Sequence, residues 1–173
     1  MKSAHVLWLL AAGMTAACGD PMAPGPGEVF FQTDSASYKL AQTGVGYDVT
    51  IGLTFTNRTS KTVSFVNCNG ITGVALQQLT NGSWKGVWSP VEDACLSGPI
   101  SVAPNQAHHW NIHVYAAPRG SNITPQFDTD AIAGTYRVIF YDAVTNYNSN
   151  GPPFGDQLPE AGRVSNPFTI SIE

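Results

Sequence analysis

Between Tyr47 and Thr56 every second residue is apolar. Tyr47, Val49, Ile51, Leu53 and Phe55 point one way, and Asp48, Thr50, Gly52, Thr54 and Thr56 the other. A two-residue period sustained over ten positions is the pattern of a strand with one buried and one wet face. The same theme recurs along the chain. Thr62 to Cys68 is a second apolar run. Val74 to Leu79 and Trp84 to Trp88 flank Asn81-Gly82, which supplies the positive φ angles of a tight hairpin turn. His108, Trp110, Ile112 and Val114 share a face opposite His109, Asn111, His113 and Tyr115. Tyr136, Val138 and Phe140 share a face in the run Thr135 to Asp142, and Val164, Asn166, Phe168, Ile170 and Ile172 alternate in the last run. A first strand, broken along its length, covers Val29 to Leu40. No segment carries a 3.6-residue stripe of helix length. The pattern predicts an all-β, antiparallel sandwich of seven or eight strands. Pro167 inside the last run marks an edge position or a switch between sheets.

Composition agrees. Of 173 residues only 12% are charged, and the formal net charge is -4. That argues against a charged coiled coil and a basic nucleic-acid binder, and it names no partner. The 17 glycines and 12 prolines imply frequent turns.

The N-terminus reads as an address. Lys2 precedes Val6 to Ala17, almost wholly apolar, which spans roughly 18 Å as a helix and is too short for a bilayer core of about 30 Å. It fits the apolar region of a signal peptide. Thr15-Ala16-Ala17-Cys18 resembles the lipobox of bacterial lipoproteins, although Thr15 stands where Leu is usual. The resemblance implies cleavage after residue 17 and lipidation of Cys18. Gly19 in place of Asp after the cysteine implies, by analogy with Gram-negative sorting, an outer-membrane address facing the periplasm or the cell surface. Residues 18–28 form a Gly/Pro-rich tether, and 29–173 form the folded domain.

The stretches TFTNRTSKTVSF, ALQQLTNGSWKGVW, GTYRVIF and SNPFTI resemble the bacterial immunoglobulin-like domains of secreted and lipid-anchored proteins. They are similar, more distantly, to the Ig-like intracellular proteinase inhibitor family of bacilli. The resemblance covers roughly Val29 to Ile172 and implies an immunoglobulin-like β-sandwich, with Tyr136 as a tyrosine corner. The widely spaced Cys…Trp…Cys of antibody domains is missing.

Once Cys18 carries lipid, Cys68 and Cys95 remain. An even pair in an exported chain favours a disulfide. It would close a loop of about 28 residues and contribute roughly 3–4 kcal/mol on the chain-entropy argument. Two buried thiols or a cysteine metal site are the alternatives, and neither cysteine has a His or Cys close in sequence.

Chemistry is sparse. His108, His109 and His113 invite copper or zinc. On a strand, however, His108 and His109 face opposite ways, and His109 and His113 stand about 13 Å apart at ~3.3 Å per residue. A polar, half-exposed face is the expected reading, and a bulge or a ligand from another strand would be needed for a site. Asp128 and Asp130 are a fragment of a calcium loop without its Gly and distal Glu. No nucleophile elbow, phosphate loop or dinucleotide fingerprint occurs. The expectation is a non-catalytic protein with no cofactor and no metal. Trp84, Trp88 and Trp110 read as core or edge aromatics.

The Asp142 to Gly162 segment is the candidate binding loop, far longer than an ordinary hairpin connection. Tyr147, Asn148, Asn150 and Phe154, with Asn146, offer the aromatic and amide groups that bind sugars or proteins. The expected function is a lipid-anchored cell-envelope module, probing an envelope protein or glycan through this loop. The expected partners include the membrane, through Cys18, and exclude nucleic acid, and the expected state is a monomer. The alternatives are an inhibitor of extracytoplasmic proteases, with Pro152, Pro153 and Pro159 stiffening the same loop, and a periplasmic metal-binding protein.

Overall fold

The protein is described by a computed structural model covering residues 30–68, 70–91 and 97–173. The predicted signal segment, the tether, Cys18 and Cys95 lie outside the described residues. The elements run β1 (Phe31–Thr33), β2 (Ser37–Gln42), β3 (Tyr47–Thr56), β4 (Val63–Phe65), β5 (Asn67–Cys68), β6 (Ile71–Thr72) and β7 (Val74–Thr80). They continue with β8 (Ser83–Trp88), β9 (Ile100–Val102), β10 (Ala107–Ala116), β11 (Gly134–Phe140), β12 (Ala143–Thr145), β13 (Asp156–Gln157), a 3-10 turn at Glu160–Gly162, and β14 (Phe168–Ile172). The fold is all-β among the described residues.

An eight-stranded sheet runs β1-β3-β2-β14-β11-β7-β8, with β10 on the other flank of β3, and a second sheet runs β13-β12-β4-β9. β3 is paired along its whole length by β10, from Ala116↔Tyr47 to Ala107↔Thr56. Its opposite flank is shared: β1 takes Leu53 to Phe55 and β2 takes Tyr47 and Asp48. The first strand is therefore broken, as its sequence implies. The break is held by Asp34, whose amide donates to Gly52 O at 3.0 Å and whose carboxylate accepts the Tyr38 hydroxyl at 2.5 Å. This explains Gly52 on the wet face of β3: a Cβ there would lie 2.1 Å from Asp34 Oδ2.

One expectation needs correction. The large sheet is mixed, because β14 pairs β2 in parallel, Thr169↔Ser37 to Ile172↔Leu40. The two strands come from opposite ends of the domain, so no turn constrains their direction. The alternation expected over Val164 to Ile172 also holds only for Phe168 and Ile170. Ahead of them Ser165 is the buried residue, its hydroxyl accepting the Val138 amide at 2.9 Å and donating to Asn166 O at 2.7 Å. The strand starts after Pro167, so its missing N–H costs no ladder bond.

The core is aromatic. Phe31 of β1 stacks on Phe140 of β11 at 4.6 Å, and Phe55, Phe65 and Trp110 pack edge-on or tilted around them. Phe31, Phe55 and Phe65 are fully buried, and each contributes roughly 1.5–3 kcal/mol by leaving water. The hairpin β7–β8 closes as predicted through Asn81 (φ 51°) and Gly82 (φ 76°). Tyr136, also fully buried, donates its hydroxyl to the carbonyl of Ile132 four residues upstream.

Candidate functional site

The Asp142 to Gly162 segment is not an open loop. Val144 and Thr145 of β12 pair Gln157 and Asp156 of β13, while Ala143 and Val144 pair Phe65 and Ser64 of β4 on the other side. The segment is thus a hairpin belonging to the second sheet, and only its tip, 146–155, projects. Sequence reading missed this because β12 is three residues long and fully buried, with no alternation to detect.

The tip is organised by local hydrogen bonds. Asn146 takes a positive φ of 51° and its side-chain amide donates to Asp156 Oδ2 at 2.5 Å. Asn148 is the hub: its backbone N–H donates to Phe154 O at 2.8 Å, its side-chain amide donates to Pro153 O at 3.2 Å, and its Oδ1 accepts the Asn150 amide at 3.1 Å. Gly155 closes the turn at φ 155°, where a Cβ would lie 2.5 Å from Thr145 O. A shallow cleft of about 400 Å³ runs along the tip, lined by Asp142, Val144, Pro152, Pro153, Phe154, Gly155 and Gln157. Of the four sequence-predicted residues, Phe154 lines this cleft, Asn148 and Asn150 brace it, and half-buried Tyr147 is not among its lining residues. Pro152 and Pro153 form an apolar wall, and Asp142 and Gln157 add polar groups.

The histidine strand follows its predicted faces. Trp110, Ile112 and Val114 are buried, while His109, Asn111 and His113 are exposed. His109 Nδ1 lies 2.8 Å from Thr54 Oγ1, and His113 Nε2 lies 2.8 Å from Asp48 Oδ2. His108 packs against the Trp110 ring at 4.3 Å, and burial, with His109 beside it, lowers its pKa. Among the described residues no three His, Cys, Asp or Glu side chains come together as a metal site. A mostly apolar cleft of about 320 Å³, bordered by Val74, Trp88, Pro90, Trp110, Ile112 and His113, opens beside β10.

Asp128 and Asp130 both face Arg119, at 3.3 and 3.5 Å, on an exposed surface. Their charge is answered by a cation of the same chain, which removes the reason to read them as a calcium loop. Trp84, Trp88 and Trp110 are each tied into the fold. Trp88 donates its indole N–H to Tyr115 O at 3.2 Å, Trp110 is in the aromatic core, and Trp84 is covered by the Arg137 guanidinium 4.7 Å from its ring centroid. Arg137 is itself held by Gln77 and Glu160. Cys68 is disulfide-bonded. Its expected partner Cys95 lies outside the described residues, so the pairing stands as an expectation.

No protein-family model matches the chain, and no curated protein matches it significantly. A solved structure, Pseudomonas fluorescens alkylpurine DNA glycosylase AlkC bound to DNA containing an abasic site analog, aligns with 10% identity and a TM-score of 0.28. The alignment covers 83% of this chain and 31% of that one. A likeness at that score carries no argument about fold or function.

Proposed function

We propose that the chain is a non-catalytic, lipid-anchored cell-envelope module. Its folded part, from residue 29 onward, is an immunoglobulin-like sandwich that binds a protein or glycan through the tip 146–155. Two features support the Ig-like reading. The split first strand pairs with β3 through β1 and with β14 through β2, and so joins the two halves of the large sheet. The Tyr136 hydroxyl reaches back to an upstream carbonyl, as a tyrosine corner does.

The observation that carries the functional reading is the ordered tip. Three hydrogen bonds at Asn148 hold Phe154 and the two prolines in one arrangement over a cleft that ends in Asp142 and Gln157. A surface ordered before binding loses less entropy on association. An apolar wall with a few polar groups suits a sugar ring or an extended peptide.

The test is binding of the full chain to arrayed envelope glycans and to purified envelope proteins, with Phe154→Ala and Asn148→Ala beside it. Loss of a specific interaction in both variants, at unchanged melting temperature, supports the tip as the binding surface. Binding that survives both moves the function elsewhere. Anchoring is tested separately: a fatty-acid label should enter the wild type and not Cys18→Ser. The same stiff tip also favours a second reading, inhibition of an extracytoplasmic protease. Tight protease binding with slow cleavage inside 142–162 would select it.

A further inference from the structure

Gln78 of β7 is only 5% exposed. Its amide nitrogen donates to Ala131 O at 2.5 Å and to Ala133 O at 3.4 Å. Two carbonyls demand a donor, so they fix the orientation of the amide and turn Oε1 away from themselves. Gly134 makes room for the group, since a Cβ there would lie 2.8 Å from Gln78 Nε2. Oε1 has no hydrogen-bond partner among the described residues, where Trp110 Nε1 is the only buried side-chain atom left unpartnered. Oε1 is therefore not sealed in. It opens to the cleft that Gln78 lines.

That cleft, of about 360 Å³, lies between β8 and the segment 128–131. None of its lining residues adjoins an undescribed one in sequence. The Asp128 amide donates to Val87 O at 2.8 Å and so ties its far wall to β8. Lys85 stands directly opposite Gln78 in the hairpin, with its side chain on the same face. Arg119 reaches Asp128 through Nε and Asp130 through Nη1, which leaves Nη2 and one oxygen of each carboxylate uncommitted. Two cations meet two carboxylates, so the cleft carries no net charge to match an ion. It offers donors and acceptors together, and a hydroxyl group uses both at once.

A second cleft, of about 280 Å³, shares Gly86, Val87 and Asp128 with the first and reaches Gln126 and Tyr141. Gln126 Oε1 accepts the Gly120 amide at 2.7 Å, which leaves its NH₂ group as a donor. Tyr141 is 44% exposed, and a Cβ on Gly86 would meet only its hydroxyl, at 3.9 Å. The two clefts thus form one groove, with a fixed polar floor at one end and an open aromatic ring at the other. A pyranose lays its C–H face on such a ring and turns its hydroxyls to polar side chains. A compact zwitterion would fill one cleft and leave the ring unused.

We propose that this groove along β8 binds a neutral saccharide chain. Gln78 Oε1, Lys85, Arg119 and the two aspartates hold the hydroxyls of one ring, and Tyr141 stacks on the next. The groove shares no lining residue with the tip cleft, so the inference does not rest on the tip 146–155.

The experiment is calorimetric titration of the full-length chain, in a detergent without a sugar headgroup, with cellohexaose, xylohexaose, mannohexaose and chitohexaose up to millimolar concentration. The expected result is saturable binding of at least one of them, unchanged when salt is raised, because no net charge is matched. Tyr141→Ala and Arg119→Ala should each weaken it about tenfold. Gly86→Leu fills the space before Tyr141 and should abolish it. All three positions are exposed, so melting should not change. Gln78→Met removes Oε1 at similar volume and should also lose binding; the three exposed variants decide the matter if it does not fold. No binding of any hexasaccharide, binding lost in Phe154→Ala but kept in Tyr141→Ala, or a salt-sensitive preference for glutamate or inorganic phosphate over every sugar would each overturn the proposal.

Discussion

Replacing Tyr136 by Phe removes a single oxygen from the centre of the molecule. Tyr136 is fully buried, Ile132 is 6% exposed, and the lost bond is the one between them. The ring stays, and so does its stacking on Phe168 at 6.3 Å. The transfer and cavity terms are therefore small, and the cost is a buried carbonyl left without its donor, about 1–3 kcal/mol. For a domain of this size each kcal/mol lowers the melting temperature by roughly 2–4 °C, so the shift should lie between about 2 and 12 °C. The assays are thermal melting and urea unfolding at neutral pH, both followed by tryptophan fluorescence, with m-values compared. Tyr141→Phe is the control, because Tyr141 is 44% exposed and should change stability little. A Tyr136→Phe protein as stable as the wild type, or an equal loss in the control, would refute the argument that this hydroxyl ties the turn before β11 to the core.

Other outcomes follow from the same geometry. Gly155→Ala places a Cβ against Thr145 O in a backbone region nearly closed to L-residues, a local cost of about 1–3 kcal/mol. It should appear as faster amide exchange at Asn148 and easier proteolysis of the tip, with a smaller change in global melting. Replacing 147–154 by a short Gly-containing turn should leave the fold intact by circular dichroism, since β12 and β13 lie outside the deletion; a chain that unfolds would make the tip part of the core. Burial, and then the hydrogen bond to Asp34, push the Tyr38 phenol from 10.0 up to about 12. A raised folded pKa means that the stabilisation is fully present below pH 10 and is lost as pH rises through about 12. Ultraviolet titration should show two late phenols, Tyr38 and the buried Tyr136, of which only the Tyr38 step moves to lower pH in Asp34→Asn. Gly52→Ala should disturb the same site, because its Cβ would displace the Asp34 carboxylate.

Local patterns were legible where local forces decide. The hairpin Val74–Trp88 needed only alternation and Asn-Gly, since the turn residues set the register. The faces of β3 and β10 followed from period two, down to the exposed His109 and His113. The 142–162 segment was misjudged because a three-residue strand flanked on both sides has no wet face to betray it. The phase change at Ser165 was invisible for a similar reason: a hydroxyl that accepts the Val138 amide in place of a ladder bond has no sequence period. Of the cleft-lining partners of Phe154, Asp142 is held by the Val66 amide beside β4 and Gln157 by pairing with Val144 of β12, and β12 is itself positioned by β4, which lies far from the tip in sequence.

What the sequence determined by itself was the all-β class, most strand faces, the main hairpin and the residue types available for binding. These depend on side-chain alternation and turn chemistry, which act over two to six residues. Only the tertiary structure decided that the first and last strands run parallel and that the long connection is a braced hairpin. Each of these depends on which distant backbone hydrogen-bonding groups meet. Every residue but proline carries the same donor and acceptor, so side-chain identity alone does not say which strand will answer them.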